Sequence, residues 1–199
     1  MKTFLTEIRT SLLLTLVFAV LLCGAYPLVV WAGAQALFPA QANGSLVVDK
    51  DGTVCGSALL AQSFTSDKYF QPRPSAAGTG YDATSSGGTN LGPTSQKLAD
   101  SIKTAVAAYR TVNGLASDAA VPADAVTSSG SGLDPHISLA NAQLQAARVA
   151  TARGLPRASI FALIASHTDG RSLGALGEPG VNVLLLNRTL DDASKSSAR

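Results

Sequence analysis

The chain has 199 residues, with 15 Lys and Arg against 13 Asp and Glu, and a formal net charge of +2 at pH 7. The basic residues form no block, which excludes a nucleic-acid-binding face and a polybasic membrane-surface patch. Of the two cysteines, Cys23 lies inside a long apolar stretch and Cys55 lies outside it, so no disulfide framework is predicted.

The apolar stretch covers residues 10–48 and contains no charged side chain. Its segment 12–31 has about 20 residues, which at ~1.5 Å each match the ~30 Å hydrocarbon core of a bilayer. We predict a cytoplasmic N-terminus over residues 1–11 and a transmembrane helix with its outer interface over residues 12–37. A cleaved signal peptide with an A-x-A-like site at residues 40–42 is the alternative, but the apolar run is longer than a signal-peptide core.

Basic residues before the apolar stretch set the predicted orientation. Lys2 and Arg9 precede it, and the next basic residue is Lys50. The positive-inside bias keeps the N-terminus in the cytoplasm and exports the rest of the chain. The sequence therefore predicts a single-pass protein of the cell inner membrane whose C-terminal domain is periplasmic.

The exported body, residues 44–190, is predicted to be a single α+β domain with mixed helices and strands. Its first element is a hairpin, because β-rich segments at 46–48 and 54–60 flank a Gly-containing turn.

Residues 64–95 are rich in Gly, Pro, Ser and Asn, which predicts a long irregular segment. The embedded aromatic residues Tyr69, Phe70 and Tyr81 argue against plain disorder, so we expect an ordered surface used for contact. A phosphate-binding loop is the alternative. No Gly-Lys-Ser/Thr sequence follows residues 87–88, which excludes a Walker-type site.

Three helices are predicted from caps and apolar periodicity. The first has its N-cap at Thr94 or Ser95 and runs to residue 112, the second covers 139–153 between Ser138 and Gly154, and the third covers 157–167. The first is expected to face the core through a stripe formed by Leu98, Ile102, Ala105, Val106 and Tyr109. Residues 181–186 read as a buried strand, and residues 191–199 as a flexible tail.

Side chains suited to independent catalysis are sparse. His136 and His167 are the two histidines, and neither lies in a hydrolase or metalloprotease pattern. We expect no catalytic residue, no metal site and no tightly bound cofactor. An unrelated membrane-anchored periplasmic enzyme or binding domain stays open as an alternative.

Four motifs follow the apolar segment in order. They are YFQPRPSAAG at 69–78, SGGTNLGPTS at 86–95, SGSGLDPHIS at 129–138 and QAARVA at 145–150. With the N-terminal anchor, this ordered combination resembles the KdpC family, the C subunit of the Kdp potassium-transporting P-type ATPase. The resemblance covers the chain up to about residue 191.

The resemblance implies a non-catalytic, assembly-stabilising accessory subunit of a high-affinity ATP-driven potassium importer. Its implied partners are a channel-like potassium-binding subunit and a P-type ATPase subunit of the same complex, together with membrane lipid and without nucleic acid. The family has been described as a catalytic chaperone that raises the ATP affinity of the ATPase subunit. ATP is then reached only through the complex.

A glutamine is implicated in nucleotide contact in this family, and by motif position it is Gln145 here. The predicted orientation leaves Gln145 outside the cell, so we expect any influence on ATP affinity to be indirect. Direct nucleotide contact is the alternative. We call the motifs at 86–95 and 129–138 the two Gly/Ser-rich motifs. Residues of these motifs and their neighbours are predicted to dock on the partner subunits: Tyr69, Phe70, Arg73, Tyr81, Asn90, Leu133, Asp134, His136 and Arg148.

Overall fold

The structure is a computed structural model that describes residues 2–197. The chain forms two compact units, a first that ends at Cys55 and a second that begins at Gly56. The domain predicted over 44–190 therefore has its first hairpin grouped with the N-terminal unit.

The first unit is dominated by one apolar helix, Thr3–Leu37, whose 35 residues are long enough to cross a membrane. It comprises helix α1 (Lys2–Phe18), a π-helical segment (Ala19–Ala25) and helix α2 (Tyr26–Leu37). A signal sequence near an N-terminus passes the same test of length and composition. The helix fits the predicted single-pass membrane anchor.

Pro27 explains the π-helical segment. Proline has no N–H to donate, and within an α-helix its ring collides with the carbonyl four residues earlier, here that of Cys23. The chain widens just before it, so that the Tyr26 N–H bonds to the carbonyl of Leu21, five residues back. Pro27 then lies in the first turn of α2, where a missing donor costs little.

The apolar helix is followed by the short helix α3 (Pro39–Ala42) and a two-stranded sheet of β1 (Leu46–Val48) and β2 (Val54–Ser57), and β2 continues two residues beyond Cys55. The predicted hairpin is confirmed, with a second strand shorter than expected. The turn is closed by a hydrogen bond from the Asp49 N–H to the Thr53 carbonyl (2.8 Å).

The described residues of the second unit, 56–197, form a three-stranded sheet and four helices. Strands β3 (His136–Ser138), β4 (Thr168–Asp169) and β5 (Gly180–Asn182) lie in the order β3-β5-β4, both pairs antiparallel. The helices are α4 (Gln96–Val112), α5 (Leu139–Arg153), α6 (Arg157–Ser166) and α7 (Val183–Ser197), with one 3-10 turn at Ala123–Ala125.

The core lies between the sheet and helices α5, α6 and α7. Small residues on α5 allow the neighbouring elements to approach closely. The buried apolar residues that pack together as this core cluster are Phe70, Ile137, Ala142, Ala146, Val149, Ala150, Ile160, Ile164, Val181, Val183, Leu186 and Leu190. Phe70 is the member contributed by the long irregular segment, so that segment passes through the interior.

The predicted caps of two helices are confirmed. Ser95 accepts a hydrogen bond from the Leu98 N–H at the start of α4, and Ser138 accepts one from the Asn141 N–H at the start of α5. Gly154 ends α5 in the left-handed conformation (φ 65°). The predicted stripe of α4 is its least exposed face, but none of its residues is fully buried.

The strand predicted over residues 181–186 is wrong beyond Asn182. Helix α7 begins at Val183, because the Asn182 side chain accepts a hydrogen bond from the Leu185 N–H (3.1 Å) and starts the helix. The first turns of α7 are buried on most sides, so their apolar run has no helical period. Helix α7 continues to Ser197 through most of the predicted tail, and residues 198 and 199 lie outside the described part of the chain.

Candidate functional site

Gln145 is held by four hydrogen bonds inside the second unit, and it is 1% exposed. Its Oε1 accepts from the Gln71 N–H (2.7 Å) and from Nη2 of Arg148 (2.8 Å). Its Nε2 donates to the Gln71 carbonyl (3.0 Å) and to Oδ1 of Asn141 (2.9 Å). A primary amide has two donors and two acceptor positions, so the hydrogen-bonding capacity of Gln145 is fully used.

Asn187 on α7 binds the backbone of Phe70, the residue before Gln71, in the same way. Its Oδ1 accepts from the Phe70 N–H (2.8 Å), and its Nδ2 donates to the Phe70 carbonyl (2.9 Å). Consecutive peptide groups of an extended chain point to opposite sides, so two amides from two helices can each bond one residue. We call Gln145 and Asn187, with the backbone of Phe70 and Gln71, the amide clamp. It satisfies backbone groups that would otherwise be buried unpaired.

Further polar side chains extend the amide clamp through Asn141. Asn141 Oδ1 accepts from the Tyr109 hydroxyl (2.8 Å), and its Nδ2 donates to Asp124 (2.9 Å). Asp124 also accepts from the N–H and the hydroxyl of Ser138 (both 2.8 Å). Burial, and then the nearby carboxylate of Asp124, raise the pKa of Tyr109, which keeps its hydroxyl a donor.

A cavity of about 430 Å³ lies beside Gln145. Among the described residues that line it, none is charged; they are Ser63, Phe64, Thr65, Gln71, Pro72, Pro74, Tyr81, Ala105, Ala108, Tyr109, Val112, Ala125, Asn141 and Gln145. Triphosphates are bound in proteins by cationic side chains, metal ions or runs of backbone N–H groups. This lining is suited to an apolar or aromatic group rather than to a nucleotide phosphate.

Arg148 supports the same region from α5. Its Nε donates to Asn113 Oδ1 (3.0 Å), and its Nη1 donates to the carbonyls of Asp67 (2.8 Å) and Tyr69 (3.0 Å). With the bond to Gln145, every nitrogen of the guanidinium is engaged within the unit. Burial lowers the pKa of Arg148 from its ordinary value.

Tyr69 is bonded internally as well. Its hydroxyl donates to Asp191 (3.1 Å), and the guanidinium carbon of Arg153 lies 4.9 Å from the centre of its ring. Arg153 also forms an ion pair with Asp191 (2.8 Å), which connects α5 to α7. Asp191 is the first residue of the segment predicted as a flexible tail.

The two Gly/Ser-rich motifs meet backbone to backbone. The Gly87 N–H donates to the Ser131 carbonyl (2.9 Å), and the Ser86 hydroxyl donates to the same carbonyl (3.0 Å). Ser75, from the motif at 69–78, donates from its hydroxyl to the Gly132 carbonyl (2.6 Å). At Gly132 (φ +69°), a Cβ would lie 2.6 Å from the Gly87 oxygen and 2.7 Å from the Ala77 nitrogen. Only glycine combines this φ with this approach.

An ionic chain runs along one side of the sheet. Arg73 Nη1 lies 3.2 Å from Asp134 Oδ2, and His136 Nδ1 lies 3.4 Å from Asp134 Oδ1. His136 Nε2 lies 3.0 Å from Oδ2 of Asp169. The imidazole reaches from β3 to β4 across β5 at Gly180, where a Cβ would be 3.0 Å from that of His136.

These contacts shift the pKa values of Asp134 and His136, the two residues in the middle of the ionic chain. The hydrogen bond to Asp134, opposed by burial and reinforced by Asp169, raises the pKa of His136 above its ordinary value. The hydrogen bond from His136 is the largest cause that lowers the pKa of Asp134.

Replacing His136 by glutamine is expected to flatten the pH dependence of unfolding above neutrality. The folded-state pKa of His136 lies above that of the unfolded chain, about 6.5. Its stabilising contribution is therefore complete below about pH 6.5 and is lost as the pH rises through the folded-state pKa. The pairs are partly exposed, so the contribution is at most about 1 kcal/mol.

Thermal unfolding of the purified chain between pH 5.5 and 8.5 checks this expectation. His167→Gln is the control, since the His167 ring bonds to the Thr189 hydroxyl and the Leu163 carbonyl rather than to a carboxylate. If the unfolding temperatures of wild type and His136→Gln change with pH by the same amount, the expected role of His136 is contradicted.

The predicted docking residues fall into three groups. Phe70 (0% exposed) and Leu133 (5% exposed) are buried, so neither side chain lies on the surface of the unit, and their docking role stays a prediction. Six are partly buried and hydrogen-bonded inside the unit: Tyr69, Arg73, Tyr81, Asp134, His136 and Arg148. Asn90 is exposed, with a left-handed backbone (φ 52°), and its docking role stays a prediction.

Sequence reasoning missed Asn187, Asn141 and Asp124 as partners in this network. A signal for one of them was present, since Asn141 lies four residues before Gln145 and both adjoin the apolar stripe of α5. Asn187 lies between the predicted strand (181–186) and the predicted tail (191–199), where no element is predicted. Among the described residues, no group of three metal-ligating side chains is assembled.

Comparisons with known proteins confirm the family that the sequence resembles. The family described as "KdpC: K+-transporting ATPase, c chain" matches residues 8–192. A Potassium-transporting ATPase KdpC subunit of Rhodospirillum rubrum is 54% identical over 188 residues, covering 94% of this chain and 96% of the relative. One of Mycobacterium tuberculosis is 53% identical over 185 residues, covering 93% and 97%. The chain belongs to the KdpC family of K+-transporting ATPase c chains.

Proposed function

We propose that the chain is an accessory subunit of an ATP-driven potassium importer and acts from the outer side of the membrane. Family membership supports the role of a non-catalytic subunit that assembles with the other Kdp subunits. The apolar helix Thr3–Leu37 supplies the anchor. The position of Lys2 and Arg9 before it favours an N-terminus inside and a second unit outside, in the periplasm.

The state of Gln145 supports an indirect effect on ATP affinity. Its side chain is 1% exposed, and all of its hydrogen bonds are made with Gln71, Arg148 and Asn141. A nucleotide could bond to it only by displacing the backbone of the core segment. The uncharged lining of the adjacent cavity also disfavours a triphosphate. The subunit then changes ATP affinity by favouring one conformation of the whole complex.

The exposed parts of the Gly/Ser-rich motifs are the proposed contact with the channel-like subunit. Thr89, Asn90 and Gly130 are exposed, while the backbones beneath them are bonded across the two motifs. A surface fixed in this way loses little conformational entropy on binding. Its polar, uncharged composition fits docking through hydrogen bonds.

The side of the membrane is tested by a membrane-impermeant maleimide on Thr89→Cys in a chain whose own cysteines are changed to serine. We expect labelling in intact spheroplasts, because Thr89 is exposed in the second unit. Thr3→Cys, at the other end of the anchor, is the control and should react only after permeabilisation. The opposite pattern places Gln145 with cytosolic ATP and overturns the proposal.

A further inference from the structure

The connection between β4 and β5 presents two leucines to solvent. We call residues 170–178 the leucine loop. Leu173 at its tip is 95% exposed, and Leu176 is 62% exposed. The two side chains lie three residues apart on one short loop, and apolar groups this exposed gain free energy when a partner removes them from water.

The leucine loop has a fixed shape. Ser172 and Leu176 exchange two backbone hydrogen bonds of 2.9 Å, and the Gly174 N–H donates to the Arg171 carbonyl (3.0 Å). Arg171 Nη2 donates to both carboxylate oxygens of Glu178 (2.9 and 2.8 Å), which closes the base of the loop. The loop therefore does not need to be ordered by a partner.

Leu173 has a left-handed backbone, with φ 55°. This conformation is strained for a residue with a bulky side chain, and glycine would adopt it freely. Neither burial nor packing within the domain explains a leucine here, since the side chain is almost entirely in solvent. Strain retained without a folding benefit indicates a functional role for the side chain.

The base of the leucine loop is joined to the core. Its strands pair through Thr168 with Val181 and Asp169 with Gly180, and Val181 is fully buried. His136 additionally bonds to Asp169 from the far strand (3.0 Å). The two leucines are thus presented on a rigid support, which lowers the entropic cost of binding.

We propose that the leucine loop inserts into an apolar, uncharged recess on the extramembrane part of another subunit of the ATPase. This inference rests on the proposed function and adds a contact to it. Arg171 and Glu178 form an ion pair, so the loop has no net charge. A partner surface complementary to it is therefore also uncharged.

A lipid surface fits the loop less well. Membrane-inserting segments combine aromatic or bulky apolar residues with unpaired basic ones that attract anionic lipid. The leucine loop contains no aromatic residue, its arginine is paired, and Glu178 remains 81% exposed at its base.

Site-specific photocrosslinking in the assembled complex tests the proposal. A benzoylphenylalanine placed at Leu173 is expected to crosslink to another ATPase subunit, and one placed at Val112, a 44% exposed residue on α4, is the control. Crosslinks to lipid or to a second copy of this chain overturn the proposal. So does a yield at position 173 no higher than at position 112.

Leu173→Gly separates docking from folding. The variant relieves the left-handed strain, so its thermal unfolding temperature should equal or exceed that of the wild type. We expect its co-purification with a tagged ATPase subunit to fall several-fold. Unchanged co-purification overturns the docking role alone, whereas a wild-type chain that fails to co-purify overturns the proposed function itself.

Discussion

Gln145→Ala is expected to destabilise the second unit by about 3–5 kcal/mol. The substitution leaves the N–H and carbonyl of Gln71 without their partner, and each buried unsatisfied group costs about 1–3 kcal/mol. It also removes a bond from Asn141 and one from Arg148. Thermal unfolding of the purified full chain, followed by circular dichroism, should show a midpoint lower by about 10 °C.

Gln143→Ala is the matched control for this expectation. Gln143 lies on the same helix, two residues away, and is exposed. Its replacement should change stability by no more than about 0.5 kcal/mol. Equal unfolding midpoints for Gln143→Ala and Gln145→Ala would show that the amide clamp contributes little.

Gly132→Ala is expected to cost at least about 3 kcal/mol and to lower the thermal unfolding midpoint by about as much as Gln145→Ala. The new methyl group would meet two backbone atoms, the Gly87 oxygen at 2.6 Å and the Ala77 nitrogen at 2.7 Å. Both are backbone atoms, so neither can move without shifting the segments at 69–78 and 86–95 that pack on Gly132, and φ +69° adds strain for alanine. Resistance to limited proteolysis and the unfolding midpoint both measure the effect.

Gly130→Ala provides the comparison for Gly132→Ala. It lies two residues away in the same motif, and a Cβ there meets no atom within 4 Å. We expect Gly130→Ala to fold like the wild type. If Gly132→Ala is equally stable, the close approach of the two motifs is not needed for folding.

Local signals predicted the helices of this domain well, and longer-range structure poorly. Ser95, Ser138 and Gly154 mark the ends of α4 and α5 through bonds made within a few residues, so they can be read from sequence. The start of α7 could not be read from the sequence, because the first turns of this helix are buried on most sides and their apolar residues show no helical periodicity. Strand β3 was missed because three residues give too short a pattern.

The candidate site depended on contacts distant in sequence. The resemblance identified Gln145, but its backbone partner Gln71 is 74 positions away, and Phe70 and Asn187 are 117 apart. A Gly- and Pro-rich segment with aromatic residues was read as surface. Here side-chain amides supply its backbone hydrogen bonds, so Phe70 can lie in the core.

We propose that Gln145 supports the fold and does not touch ATP. The most direct measurement is the KM for ATP of the purified, fully assembled complex carrying either Gln145→Ala or Asn187→Ala, the two halves of the amide clamp. We predict that both variants reduce the yield of complex and that their KM values for ATP agree with each other. A KM raised several-fold by Gln145→Ala alone, in a complex assembled as well as that of Asn187→Ala, would contradict the claim.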